Sequence, residues 1–288
     1  MSMPQAATRP PRSGPPPAAK TDFASLISSK GQSLPNRYVL YAGEGWGKTS
    51  FAAMMPKPIF MQTRGETGLE TLIDAGQLGE TPHFPEIMDW RTMVDGVHYL
   101  RDSTHDYRTL VIDTLNGAER LLHEMVCARD YQNDWGDRGF GAYQKGYDVS
   151  IADLNLLLSD LDAKRLEKRM IVVWLAHRRV ITFKNPSGAD YDLYQPDVHK
   201  TTWGAVSKWS DVILFGDMEV IVETEKKTSK KGKGVAQNRL IRCESAPSWV
   251  AKNRLGLPPE IEAGQSPQEA WANFAAAVKA AKQKEAVA

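Results

Sequence analysis

Residues 37–50 read R-Y-V-L-Y-A-G-E-G-W-G-K-T-S, and this stretch decides the fold. Residues 38–41 are apolar, β-branched and aromatic, a composition typical of a buried strand. Three glycines follow within five residues, and residues 51–55 favour a helix. A strand, a glycine-rich turn, Gly-Lys-Thr and a helix, in this order, predict a phosphate-binding loop (P-loop).

The predicted P-loop has a defined chemistry. Its backbone N–H groups would surround a phosphate, and the start of the helix would add its dipole. The amine of Lys48 would reach the β- and γ-phosphates, and the hydroxyl of Thr49 would bind Mg²⁺. The predicted ligands are therefore ATP and Mg²⁺. The residues predicted to hold the nucleotide are Gly43, Glu44, Gly45, Trp46, Gly47, Lys48, Thr49 and Ser50.

The loop departs from the usual pattern G-x-x-x-x-G-K-[ST] at its first position, where this chain has Ala42. Alanine is accommodated there only if the backbone keeps a negative φ. The alternative interpretation is a glycine-rich turn that binds no ligand. The Lys-Thr pair, placed between a strand and a helix, favours the P-loop.

Composition limits the kind of protein. The chain has 288 residues, of which 42% are hydrophobic, and this predicts one large globular domain with appendages. Its net charge is +1, so any surface for nucleic acid must be local. Residues 170–176, the longest apolar run, are too few to cross a membrane. Cys127 and Cys243 lack the spacing of a metal site and suit a reducing compartment, so we expect a soluble cytoplasmic protein.

Strands and helices are predicted to alternate along the chain. This alternation indicates an α/β fold with a mostly parallel central sheet and ligands at the carboxyl ends of its strands. An antiparallel extension is predicted after residue 215, with a hairpin formed by residues 220–225 and 238–243. The predicted core strands are residues 38–41, 58–62, 107–113, 170–176 and 211–215.

Three other segments are predicted as follows. Residues 1–20 are rich in proline and are predicted to form a disordered tail. Residues 130–147 are interpreted as a long loop rich in glycine and aromatic residues. Residues 178–208 are interpreted as an insertion of short strand-like pieces followed by a helix.

Two polar residues stand at the ends of predicted strands. Asp113 ends an apolar strand, which is the pattern of a Walker B acid that holds Mg²⁺. A buried strand that ends in Asp is common in other proteins, so the P-loop upstream carries most of this interpretation. His177 ends the strand at residues 170–176, and a purely structural histidine is the alternative there.

Several motifs together resemble one family. The order of P-loop, T-L-V-I-D-T, V-W-L-A-H and A-K-N-R-L-G-L-P is similar to that of RecA-like ATPases. With G-F-G-A-Y-Q-K-G-Y and Y-D-L-Y-Q-P-D, the chain more narrowly resembles phage-encoded RecA-fold ATP-binding proteins. Some members of that group are single-strand-annealing recombinases. The resemblance covers about residues 37–260, and it implies a RecA-like ATPase domain at residues 21–265, followed by a C-terminal helix and tail at 266–288.

The resemblance also implies roles for individual residues. His177 would sense the γ-phosphate and link it to a DNA-facing loop that follows it. Lys252 and Arg254 would reach the γ-phosphate bound by a neighbouring subunit, in a ring or filament with ATP between subunits. The glutamate that activates water usually follows the second strand directly, whereas Glu66 comes two residues late. Either Glu66 is the base or hydrolysis is weak.

A basic cluster between residues 220 and 243 is the predicted contact for single-stranded DNA. Base stacking would come from Trp135, Phe140 or Tyr143, unless these aromatic residues only pack the loop. The alternative for the basic cluster is a solvated hairpin tip. A single-strand-binding protein is a further predicted partner. The cluster consists of Lys226, Lys227, Lys230, Lys231 and Lys233.

The leading hypothesis is an ATPase that acts on single-stranded DNA in phage recombination or replication, in the cytoplasm of the host cell. One alternative is a nucleotide-dependent assembly or regulatory protein that needs no DNA. A small-molecule kinase is disfavoured because the chain has no recognisable lid motif and carries the Lys252–Arg254 pair instead.

Overall fold

The computed structural model of the protein describes residues 34–223 and 233–287, together with Ile27. Five parallel strands form the centre of the sheet, in the spatial order β2-β3-β4-β1-β6. The strand that leads into the P-loop therefore lies between β4 and β6, and β4 separates it from β3. The five strands are β1 (Arg37–Ala42), β2 (Pro58–Gln62), β3 (Thr109–Asp113), β4 (Ile171–Phe183) and β6 (Val212–Glu223).

Four further strands are antiparallel to their neighbours. β5 (Tyr191–Pro196) pairs with β4, and β8 (Lys252–Asn253) pairs with the start of β6. β7 (Lys233–Arg242) lies beside β6, and β9 (Glu260–Glu262) lies beside β7. The predicted fold class, an α/β fold with a mostly parallel sheet and an antiparallel extension, is confirmed.

Helices cover both faces of the sheet. One core contains residues of α3, α4, α5 and α6, and the core on the opposite face contains residues of α1, α2 and α7. The helices are α1 (Lys48–Ala53), α2 (Gly68–Asp74), α3 (Trp90–Asp102), α4 (Leu115–Tyr131), α5 (Lys145–Glu167), α6 (Lys200–Trp209) and α7 (Pro267–Val287), with a 3₁₀ turn at Ala142–Gln144.

The sequence of β1 explains its central position. Val39 and Tyr41 belong to one core, whereas Tyr38, Leu40 and Ala42 belong to the other. Both faces of the strand are therefore buried, which is why it reads as a continuous apolar run rather than an alternating one.

Two strand predictions are corrected. β4 does not end at residue 176 but continues to Phe183, and its second half pairs with β5 residue by residue. The predicted insertion is thus an antiparallel hairpin, which we call the β4–β5 hairpin (residues 178–196). The strands predicted at 211–215 and 220–225 are one strand, β6, because a register shift between Met218 and Val220 lets pairing with β7 continue.

The predicted loop at 130–147 is shorter than expected. α4 continues to Tyr131, and α5 already begins at Lys145. Phe140 is fully buried against Tyr131, Trp135 and Tyr147, so it packs the loop and is not available for stacking on DNA. Tyr143, by contrast, is 93% exposed on a turn with φ +47.

The C-terminal helix packs on the rest of the fold. Phe274 on α7 contacts the rings of Tyr38 on β1 and Phe51 on α1, with centroids 5.9 and 5.6 Å apart. The domain limits predicted from the sequence stay predictions. Among the described residues, no helix combines the length and the apolar character that crossing a membrane requires.

Candidate nucleotide-binding site

The P-loop is the turn that joins β1 to α1. Gly45 and Gly47 have φ values of +74 and +96, a conformation that favours glycine over other residues. Ala42 is the last residue of β1 and pairs with His177 of β4 and Gly216 of β6, so its backbone is extended. The departure from the usual glycine therefore falls inside a strand, where alanine is not strained.

Ala42 and Trp46 leave room for no side chain at position 216. A Cβ atom on Gly216 would lie 2.7 Å from the Cβ of Ala42 and 2.7 Å from the indole ring of Trp46. The indole is 2% exposed and donates a 3.1 Å hydrogen bond to the carbonyl of Asp217. The side chain of Trp46 thus fixes the loop to β6, and only its backbone remains for a ligand.

Lys48 lies inside the loop. Its Nζ atom donates to the carbonyl oxygens of Ala42 and Gly43 at 3.3 and 3.2 Å. Burial lowers the pKa of Lys48, while the nearby carboxylates of Asp113 and Glu66 act in the opposite direction. The amine is therefore held where a phosphate would replace the two carbonyls as its partner.

Thr49 and Asp113 form the candidate Mg²⁺ site. The hydroxyl of Thr49 donates to Oδ2 of Asp113 at 2.9 Å, although the residues come from different elements. Burial raises the pKa of Asp113 to about 6. In the described part of the chain, no three His, Cys, Asp or Glu residues cluster as a complete metal site. Two oxygen ligands suit Mg²⁺, which in nucleotide sites takes further ligands from phosphate and water.

Glu66 completes this group from the loop after β2. Its Oε1 accepts a 3.0 Å hydrogen bond from the hydroxyl of Thr114, the residue after Asp113, and lies 3.4 Å from Nε2 of His177. The contact with His177 is the main reason that the pKa of Glu66 is below its ordinary value. The carboxylate of Glu66 is therefore ionised and lies beside the candidate Mg²⁺ site. It does so although Glu66 comes two residues later in the sequence than the usual water-activating glutamate.

His177 stands between the P-loop strand and the Walker B strand. Its backbone pairs with Ala42 in β1, and its N–H donates to Oδ1 of Asn116 at 2.9 Å. The fold thus brings Lys48, Thr49 and Asp113 together with Glu66 and His177, all at the carboxyl ends of parallel strands.

Two arginines that the sequence did not predict as site residues lie beside the P-loop. Arg178 stacks over the ring of Tyr194 at 4.6 Å, and a Cβ on Gly43 would lie 3.0 Å from its Nε. Arg239, on β7, donates from Nη1 to the carbonyl of Trp46 at 3.2 Å. Arg178 directly follows His177, and this position in the sequence could have indicated that Arg178 lies near the site. No motif marks Arg239, because only the pairing of β6 with β7 brings it to the loop.

Lys252 and Arg254 lie at the other edge of the sheet. β8 pairs with Val212 and Ile213, which stand beside the start of β1, whereas the P-loop follows its end. The two ends of β1 are about 16 Å apart. Lys252 donates to the carbonyls of Ser207, Lys208 and Ser210 at the end of α6. Within one chain, neither residue meets Lys48.

Arg254 is less constrained than Lys252. It is 57% exposed, and its nearest carboxylate is Asp211, at 3.7 Å.

The predicted DNA contacts Lys226, Lys227, Lys230 and Lys231 lie outside the described residues, and Lys233 is the first residue of β7.

A sequence model of the family described as "AAA domain" matches residues 34–255, which is most of the chain. The protein belongs to the AAA domain family. For this AAA-domain protein, the match includes the P-loop, Asp113, Glu66 and His177. The chain is thus a P-loop NTPase of the AAA type. No curated protein matches it.

Two solved structures are similar to this AAA-domain protein. One is the crystal structure of the RadB recombinase, with a TM-score of 0.44 and 13% identity over 82% of this chain and 90% of that one. The other is a prototypical ATPase from the type III secretion system of pathogenic bacteria. Its TM-score is 0.39, with 13% identity over 63% of this chain and 52% of that one.

Proposed function

We propose that this AAA-domain protein hydrolyses ATP and acts, as a ring or filament, on single-stranded DNA in phage recombination or replication. The observation that carries the ATPase part is the convergence of five side chains at one edge of the sheet. Lys48, Thr49 and Asp113 are placed for phosphate and Mg²⁺, and Glu66 and His177 are placed next to them.

Each residue has a proposed task in phosphoryl transfer. Lys48 would bind the terminal phosphates, and Thr49 and Asp113 would hold Mg²⁺, which neutralises charge on phosphate oxygens. Glu66 is ionised and bonded to Thr114, so it is suited to orient a water molecule and accept its proton. His177 contacts the same carboxylate and would respond to the γ-phosphate.

The β4–β5 hairpin supports the DNA part of the proposal. β4 runs without a break from the buried sheet through His177 to Phe183, where the rings of Phe183 and Tyr191 lie 5.1 Å apart. Phe183 is exposed, and exposed Lys184 follows it. Tyr191 is half-buried, and Lys184 pairs with Asp190 on the surface. An exposed aromatic ring beside a cation suits stacking of an unpaired base and contact with its phosphate. The β-strand β4 thus connects the candidate ATP site to a candidate DNA surface.

The first test measures phosphate release with and without single-stranded DNA, and molecular size with and without ATP. We expect hydrolysis that DNA stimulates and an assembly that ATP enlarges.

The variant Lys48→Ala should hydrolyse ATP at least about 10²-fold more slowly, since it removes a buried charge that stabilises the transition state. Lys57→Ala is the matched control, because Lys57 is exposed and pairs with Asp106 on the surface.

Three results would contradict parts of this proposal. ATPase activity that DNA never alters would favour a nucleotide-dependent assembly protein. A phosphorylated small molecule in place of free phosphate would indicate a kinase. Near-normal turnover in Lys48→Ala would remove the P-loop from the mechanism altogether.

A further inference from the structure

The layout of the sheet indicates where the nucleoside of a bound nucleotide would lie. The groups suited to Mg²⁺ and the γ-phosphate, Asp113 and His177, stand on β3 and β4, to one side of β1. A triphosphate in the P-loop would therefore point its terminal phosphate toward that side. Its nucleoside would leave the loop in the opposite direction, over β6, β7 and β9.

Arg239 occupies that opposite side. Its Nη1 lies 3.2 Å from the carbonyl of Trp46 and 3.2 Å from the position that a Cβ on Gly47 would take. Side chains alternate along a strand, so Arg239 shares a face of β7 with Ile241, which belongs to the same core as α1. The guanidinium thus contacts the P-loop at Trp46 and Gly47 from the flank of β1 that carries β6 and β7, whereas Asp113 lies on the flank that carries β4 and β3.

The guanidinium retains most of its binding capacity. It has five N–H donors and two flat faces, and the contact with Trp46 engages one donor. Within residues 34–219 and 238–284, whose side chains the structure describes, no carboxylate forms an ion pair with Arg239. Arg242, three residues later, differs in this respect, since it pairs with both Asp217 and Glu260.

The turn from β9 into α7 forms a second wall beside Arg239. The N–H of Ala263 donates to the carbonyl of Arg239 at 2.8 Å. Oε2 of Glu269 accepts from the N–H of Gln265 at 2.7 Å, and Gly264 has φ +66 with no room for a Cβ against Glu269. These bonds fix residues 263–266 in place next to the backbone of Arg239.

We propose that Arg239 and residues 263–266 form the nucleoside half of the ATP site, with the guanidinium stacked on the base. A planar cation favours the π-face of a nucleobase, and Arg239 is held in place by its bond to Trp46. The inference rests on the proposed nucleotide binding and adds to it a residue for the base. It assigns Arg239 to the nucleoside, whereas Lys48 serves the phosphates.

The test compares ATP with inorganic tripolyphosphate, which carries the phosphates without a nucleoside. Binding of each, with Mg²⁺, is measured by calorimetry. In Arg239→Met, ATP should bind about tenfold more weakly, a loss typical of one partly buried cation–π contact. Tripolyphosphate should bind within about twofold of the wild type, because its contacts with the P-loop remain.

Two more variants separate stacking from support of the loop. Arg239→Lys keeps an N–H donor for the carbonyl of Trp46 but lacks the planar group, so it should lose affinity for ATP alone. It also answers the question if Arg239→Met fails to fold. Arg178→Met is the matched control: it removes an arginine at the Gly43 end of the same loop, and should change both affinities by the same factor.

Equal losses for ATP and tripolyphosphate in both Arg239 variants would overturn the inference and leave Arg239 as a support of the P-loop. Unchanged affinity for ATP would overturn it too. If neither ligand binds the wild-type protein, the proposed nucleotide site itself fails, and this result differs from the other two.

Discussion

The carboxylate of Glu66 touches two groups that belong to the candidate active site, the hydroxyl of Thr114 and the imidazole of His177. The sequence could not decide whether a glutamate two residues late reaches the site. In the structure, the loop after β2 folds back and brings Glu66 to the site. The side-chain amide of Gln62 holds this loop by donating to the carbonyl of Glu66 at 2.8 Å.

Glu66→Gln tests whether this carboxylate accepts a proton from water. The amide would keep an oxygen for the hydroxyl of Thr114 but would lose basicity. We expect ATP hydrolysis to fall about 10²-fold or more while ATP binding persists. Single-turnover phosphate release and calorimetry measure the two quantities separately. An unchanged rate would assign water activation to another group.

His123 makes stability depend on pH. It packs against Phe140 and Tyr147, and in the described part of the chain its Nε2 has no hydrogen-bond partner. Burial lowers its pKa to about 4, and the charge of His199 contributes in the same direction. The unfolded chain therefore binds the proton more readily than the folded one below about pH 6.5.

The folded protein should thus lose stability as pH falls from about 6.5 toward 4. The loss at pH 5 is about 2 kcal/mol from this residue. His123→Phe keeps an aromatic ring without a titrating group, so the fall in melting temperature between pH 7.5 and pH 5 should become smaller. An identical fall in both proteins would show that His123 is not the source.

At the scale of elements, the β4–β5 hairpin is unusual among the connections of this fold, because it extends the buried strand β4 into solvent. We expect Phe183→Ala with Tyr191→Ala to weaken binding of single-stranded DNA by about 1–3 kcal/mol per base stacked. ATP binding should not change. Fluorescence anisotropy with a labelled oligonucleotide measures the loss, and Tyr99→Ala, an exposed aromatic residue on α3, is the control.

The salt dependence of binding distinguishes this hairpin from the lysine cluster. Loss of stacking should leave the slope of log affinity against log salt unchanged. Each lysine that contacts a phosphate should reduce that slope by about 0.7 when it is neutralised. An unaltered affinity in the hairpin variant would exclude Phe183 and Tyr191 as a DNA surface.

The sequence predicted elements well where local chemistry determines them. The P-loop and the strand at Pro58–Gln62 are examples, because apolar runs between glycine-containing turns have one good interpretation. The second half of β4 and the union of two strands into β6 depend on pairing with β5 and β7, which are distant in sequence. The same reason explains why Asp113 was found by its strand and Arg239 was not found at all.

At the scale of the whole molecule, the position of Arg254 bears on assembly. It is exposed at the edge of the sheet opposite the P-loop, so it reaches a γ-phosphate only if that phosphate belongs to a neighbour. Such a contact is heterologous and builds a ring or a filament. Lys252 already donates to three carbonyls at the end of α6, which favours Arg254 as the residue that crosses the interface.

Mixing two inactive variants tests this arrangement. Arg254→Ala should bind ATP but hydrolyse it on the order of 10³-fold more slowly, and Lys48→Ala should also be inactive. In a 1:1 mixture, about a quarter of head-to-tail interfaces would join an intact pocket to an intact arginine. Phosphate release should therefore return in part. If labelled subunits exchange and no activity returns, Arg254 does not act on a neighbour.

The close contact among Ala42, Trp46 and Gly216 has a consequence for the history of the family. A methyl group at position 216 would collide with both other residues, so the three positions cannot change in an arbitrary order. A lineage can gain a side chain at 216 only after position 42 is glycine and position 46 has lost its indole. Relatives should therefore show covariation among these three positions, and a relative with Ala42, Trp46 and a side chain at 216 should not be found.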